Sequence, residues 1–137
     1  MGKVALSSFI FFSCYYIVDS SSHPLSIVDR EYHSNGELQY EAHYLNGELH
    51  GSLKSWNEFG VLLSMVEYRR GELHGKWLEY YPSGKLMHSV DYVSGQKSGR
   101  ELWYHSNGKL QSESYHSIKD INPTIKRWDE SGQEIAN

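Results

Sequence analysis

Gly47-Glu48-Leu49-His50-Gly51 recurs letter for letter as Gly71-Glu72-Leu73-His74-Gly75, 24 residues further along. The same step runs through most of the chain. Gly36, Gly60, Gly84, Gly108 and Gly132 are each 24 apart, and Leu38, Leu62, Leu86 and Leu110 follow the first four by two. Tyr44, Tyr68 and Tyr92 keep the period, with His116 in the fourth place, and Tyr32, Trp56, Tyr80, Tyr104 and Trp128 form an aromatic series. Self-similarity at one fixed period marks a repeat architecture, in which each copy is one supersecondary unit.

The unit from Lys76 to Gly99 shows what that copy is. Trp77-Leu78-Glu79-Tyr80-Tyr81 reads as a first strand, and Pro82-Ser83-Gly84-Lys85 as a tight turn in which Pro presets φ and Gly takes the left-handed position. Leu86 to Tyr92 reads as a second strand, with Leu86, Val90 and Tyr92 on one face. Ser94-Gly95-Gln96-Lys97-Ser98-Gly99 then turns the chain into the next copy. Ser34-Asn35-Gly36 and Ser106-Asn107-Gly108 stand at the first-turn position of other copies, and Asn-Gly is a strong hairpin signal.

A lone hairpin cannot bury its apolar face, but hairpins side by side give each strand two neighbours. The expected fold is therefore all-β. About five tandem 24-residue β-hairpins form one elongated, twisted antiparallel sheet, with the leucine series running in a row beneath the aromatic series. Lys119 and Pro123 replace the later glycines of the copy that starts at Gly108. That is the behaviour of a capping repeat, and Lys126 and Arg127 beside Pro123 discourage edge pairing.

The composition narrows the function. With 22% charged residues and a formal net charge of -4, the chain is a poor non-specific ligand for nucleic acid or anionic lipid. Its single cysteine, Cys14, excludes an internal disulfide and a Cys-x-x-Cys zinc site.

Residues 1–22 read as a targeting segment and 23–137 as the repeat domain. Lys3 precedes the apolar run Val4 to Val18, followed by Asp19-Ser20-Ser21-Ser22. This order matches a secretory signal, and the run is too short to span a bilayer comfortably. Phe11-Phe12-Ser13-Cys14 resembles a lipoprotein box, with lipidated Cys14 as the new N-terminus and a Ser-rich tether after it. Cleavage after Ser20 or Ser22 is the alternative, and a buried first element with Cys14 as a small hydrophobe is a third reading. The protein is accordingly expected to be secreted, periplasmic or membrane-tethered through its N-terminus, and cytoplasmic if the segment stays uncleaved.

The pattern Tyr-x-x-Gly-Glu-Leu-His-Gly-x-x-x-x-Tyr, best kept from Tyr68 to Tyr80, resembles the MORN repeat (membrane occupation and recognition nexus). More closely, it is similar to the variant MORN repeats of the bacterial YwqK-type antitoxin family. The resemblance covers Tyr32 to Gly132. It implies a stack of β-hairpins and the binding of a partner protein, and it brings no catalytic residues.

Candidate chemistry is sparse. His50 and His74, in equivalent turns about 10 Å apart, are too distant to share a zinc ion. With His33 and His105 they read as turn residues that hydrogen-bond locally. Glu37, Glu48, Glu72 and Glu101 form no constellation with a nucleophile, so an acid–base site has nothing to organise it. No metal, cofactor or enzymatic activity is expected. Trp56, Tyr80 and Tyr104 are the candidate partner-binding residues, as a flat strip of rings suited to a protein or a glycan, with cross-strand packing as the alternative role. The favoured function is non-catalytic binding of a partner protein at the cell surface or in the periplasm. The alternatives are a cytoplasmic antitoxin-like neutraliser and a cell-wall or glycan-binding repeat.

Overall fold

The structure, a computed structural model, describes residues 24–117 and 123–136. Cys14 and the proposed cleavage sites lie outside the described residues. Among the described residues ten strands follow one another as β1 (Ser26–Tyr32), β2 (Leu38–Leu45), β3 (Glu48–Trp56), β4 (Leu62–Arg69), β5 (Glu72–Tyr80), β6 (Leu86–Val93), β7 (Gln96–Tyr104), β8 (Leu110–His116), β9 (Ile125–Trp128) and β10 (Glu134–Ile135). They form one open antiparallel sheet in which every strand pairs with its sequence neighbours. The expected repeat of hairpins is the fold found.

Two kinds of connection alternate. At His33 to Glu37, the Gly36 amide donates to the His33 carbonyl and the His33 amide to the Glu37 carbonyl. Gly36 has φ 90. This is a three-residue hairpin loop closed by a left-handed glycine, and its bulge shifts the register between Glu31 and Tyr32. The other connection is shorter than the six residues expected. Asn46 and Gly47, at φ 52 and 85, make a two-residue turn whose two left-handed positions match the twist of the flanking strands. Arg70-Gly71 and Ser94-Gly95 repeat it. As a result the stretch Gln96 to Gly99, expected in the turn, already belongs to β7.

Gly51, Gly75 and Gly99 lie inside strands, where they open bulges. Between the pairs Val66↔Trp77 and Tyr68↔Leu73, one residue of β4 faces three of β5. At Gly75, with φ 106, an added Cβ would meet the Glu67 Cβ at 3.0 Å. The missing side chain lets the Glu67 carboxylate fold over the bulge and accept a hydrogen bond from the Lys76 amide at 2.6 Å.

The register sets the packing. Ala42, Leu53, Val66, Trp77, Val90, Glu101, Ser114 and Ile125 stand directly opposite one another in turn, so they form one row across one face. Among the described residues, Ala42, Val66 and Val90 are the buried apolar ones, and Ser114 is the fourth member of their 24-residue series. The opposite face carries the row Lys54, Met65, Leu78, Ser89, Leu102, Glu113. No second layer covers either face among the described residues, so most strand residues are only half-buried.

The turns also bind to each other. The rings of His33 and His105 donate from Nε2 to the carbonyls of Trp56 and Trp128, each at 2.9 Å, and the Tyr81 hydroxyl donates to the Tyr104 carbonyl at 2.7 Å. All three bonds reach 23 residues ahead, into the next unit. The local hydrogen bonds expected of His33 and His105 are therefore replaced by bonds between units.

Candidate functional site

Trp56, Tyr80 and Tyr104 are the last residues of β3, β5 and β7. Each follows the loop-closing bulge and stands opposite a leucine: Leu62, Leu86 and Leu110 respectively. The sheet thus places the three rings at one register position of successive units, roughly 10 Å apart on strand spacing. All three are half-buried. The carbonyls of Trp56 and Tyr104 are occupied by the preceding turn, which pins the backbone beneath the rings. Of the outer members of the series, Tyr32 is exposed and Trp128 half-buried.

His50 and His74 lie in β3 and β5, not in turns. They line a shallow depression with Tyr68, Arg69 and the two bulge glycines. Nδ1 of His50 is buried without a hydrogen-bond partner, so the local bond expected of this residue is not made by that atom.

The most organised polar cluster escaped the sequence reading. His88, 5% exposed, sits on β6 between two carboxylates. Its Nδ1 is 3.0 Å from Glu79 Oε2 on β5, and its Nε2 is 2.9 Å from Glu101 Oε1 on β7. The His88 ring stacks on Trp103, centroids 3.9 Å apart and planes at 21°. Glu101, 7% exposed, also accepts from Lys97 Nζ at 2.6 Å and from His116 Nε2 at 2.6 Å. Burial alone would raise the Glu101 carboxyl, but the bonds from Lys97, His116 and His88 outweigh it and hold the group down at about 2. Glu101 therefore gathers partners that its residue spacing did not reveal. The partners are three donors and no nucleophile.

The signal for this cluster was present in the sequence. Where the preceding copies have Leu49 and Leu73, the fourth has Lys97. Where they have Leu53 and Trp77, it has Glu101, and where they have Tyr68 and Tyr92, it has His116. Three series leave their apolar pattern in one copy, and the register brings the three replacements together.

At the N-terminal edge, Asp29 stands opposite Ala42 and Glu31 opposite Tyr40, on the face that carries the enclosed row. Arg30, on the other face, is paired with Glu41 at 2.7 Å. That bond, with one from His43, lowers the Glu41 carboxyl. Burial, the hydrogen bond with Tyr44 and the nearby charges of Asp29 and Glu31 push the Tyr40 phenol up to about 12.

Residues 30–46, 73–93 and 97–117 match the family profile described as the MORN repeat variant. The last two stretches coincide with the hairpins β5–β6 and β7–β8, which differ most in side-chain chemistry, so the match follows the backbone frame. No curated protein and no solved structure gives a match. With its hairpin frame and three matching stretches, the chain carries repeats of the MORN variant type.

Proposed function

We propose that the chain is a non-catalytic binding module that engages a partner protein along its sheet, at the cell surface or in the periplasm. The observation that carries this reading is the single-layer sheet. It leaves rings at one register position of successive units half-covered instead of sealed in a core. Rigid rings held by backbone and leucine contacts lose little entropy on binding and offer large contact area. The buried Glu101 cluster has donors on both carboxylate oxygens, and the hydroxyl beside it, Ser114 Oγ, shares the single nitrogen His116 Nε2 with the carboxylate instead of having a base of its own, which suits cohesion of the sheet and not turnover. The apolar run before Ser20, with its basic start, supports export.

The test uses one variant and two readouts. A photo-crosslinker at position 80 identifies the partner in native cells. Affinity for that partner and melting temperature are then measured on Tyr80→Ala. A several-fold loss of affinity with a folded β spectrum supports the strip. A loss of binding that merely follows a loss of a few kcal/mol of stability assigns Tyr80 to packing. Mass spectrometry of the native protein settles export: a chain still starting at Met1 or Gly2 in a soluble cytoplasmic fraction overturns it.

A further inference from the structure

β1 is an edge. All seven of its residues, Ser26 to Tyr32, face β2, and among the described residues nothing pairs with its outer side. Alternate residues of an edge strand turn N–H and C=O groups outward, where they template another strand. The far end of the sheet is protected differently: β10 is two residues long and β9 follows Pro123, which cannot donate to a ladder. β1 has no proline, and Gly is absent from it as well.

The charges on β1 are distributed by face. Arg30 is neutralised by Glu41 on one face. On the other face Asp29 and Glu31, two residues apart and both exposed, have no ion-pair partner among the described residues. Their opposite neighbours on β2 are Ala42 and Tyr40, and Tyr44 follows in the same row, so no cation lies beside them on that strand.

We propose that the outer edge of β1 is a strand-addition site for an extended segment of a partner protein, running antiparallel to β1 with basic side chains at alternate positions opposite Asp29 and Glu31. The proposal rests on the reading of the chain as a protein-binding module and names the chemistry of the partner. Main-chain hydrogen bonds to β1 supply affinity, and side chains at every second position supply selection. Opposite charges directly across strands stabilise and like charges destabilise, so the acidic pair favours a basic strand and rejects an acidic one.

The isotope-labelled full chain is titrated with two probes: a short capped peptide of alternating lysine and threonine, and its twin with glutamate for lysine. Amide exchange and chemical shifts are followed by NMR. The lysine peptide is expected to slow exchange at the outward amides of β1 and to bind at least several-fold tighter than the glutamate peptide. The double variant Asp29→Asn with Glu31→Gln, at exposed positions, should keep the melting temperature and weaken the lysine peptide roughly five-fold. Equal binding of both peptides, no binding, indifference to the double variant or protection on other strands overturns the proposal. So does protection of β1 with no peptide present, which would mean that residues 1–23 or a second copy already fill the edge. Tyr80→Ala should be silent in this titration, so a failure of the aromatic strip and a failure of the edge are told apart.

Discussion

The hairpins β5–β6 and β7–β8 share turns, bulges and register, yet their faces are held together by different forces. In the first, Leu73 and the tilted pair Trp77–Tyr92, with ring centroids 5.9 Å apart, fill the positions around Gly75. In the second, Lys97, Glu101 and His116 take the equivalent places and close with hydrogen bonds of 2.6 Å. The apolar version leaves the Trp77 indole N–H buried and unpartnered. The ionic version satisfies Glu101 three times over. The fold thus tolerates either chemistry because its frame is set elsewhere, in left-handed residues and bulges that leave the inner face free to vary. A sheet with one layer has no jigsaw core to dictate that face.

The sharpest way to break this comparison is to remove the hub of the ionic version. Glu101→Ala leaves buried His88, half-buried His116 and the partly exposed Lys97 without their shared acceptor. Removing one partner of a buried charged set costs about 3–5 kcal/mol. Urea melts of this variant should fall by that amount, the largest loss expected of the changes considered. Converting the cluster, including His88 of β6, to the residues found one repeat earlier (Lys97→Leu, His88→Ser, Glu101→Trp and His116→Tyr together) should instead match or exceed wild type, as apolar replacement of a buried ionic cluster often does. If the fourfold variant also unfolds, the two hairpins are not interchangeable frames.

Acid sharpens the comparison without mutation. The Glu101 carboxyl is held at about 2, against an ordinary value of 4.5. A group depressed in the folded state contributes stability that is present above its unfolded value and is lost as pH falls through the folded one. The loss should therefore run from about pH 4.5 down to about 2 and amount to roughly 3 kcal/mol. Glu101→Gln should flatten that limb of the stability–pH curve. A limb of equal depth in the variant would mean that other carboxylates carry it.

The period, the hairpin unit and the positions of the first turns were legible because glycine, leucine and aromatic series mark the backbone directly. The bulges were not. Gly95 and Gly99 are both left-handed, at φ 76 and 75, but one closes a turn and the other interrupts a strand. A left-handed glycine looks the same in both settings. Their distinction lies in Ser94 and Arg70, non-glycine residues at positive φ that do not advertise a turn in the way Asn46 does. The Glu101 cluster was hidden for another reason. His88 and Glu101 are 13 residues apart, and only the register shift between Val90 and Asp91 decides which side chains meet. The aromatic strip was visible as a series, while its degree of cover depended on the absence of a second layer.

The smallest effect is expected on the opposite face, where Lys76 and Asp91 stand directly across β5 and β6 with Nζ 3.1 Å from Oδ1. By geometry this pair resembles the contacts of Glu101. By environment it does not, since the two side chains are 55% and 47% exposed against 9% for Glu101. Water screens the exposed pair, and ordering two long side chains costs most of what the attraction returns. Lys76→Ala should cost no more than about 0.5 kcal/mol, and that loss should shrink further as salt is added. The cost of Glu101→Ala should respond less to salt, because the carboxylate and His88 are buried even though the Lys97 side chain is 39% exposed. Melts of both variants at low and high ionic strength therefore separate the faces. A salt-sensitive Glu101 variant would mean that the cluster is open to solvent, and the contrast between the two hairpins would then be one of composition only.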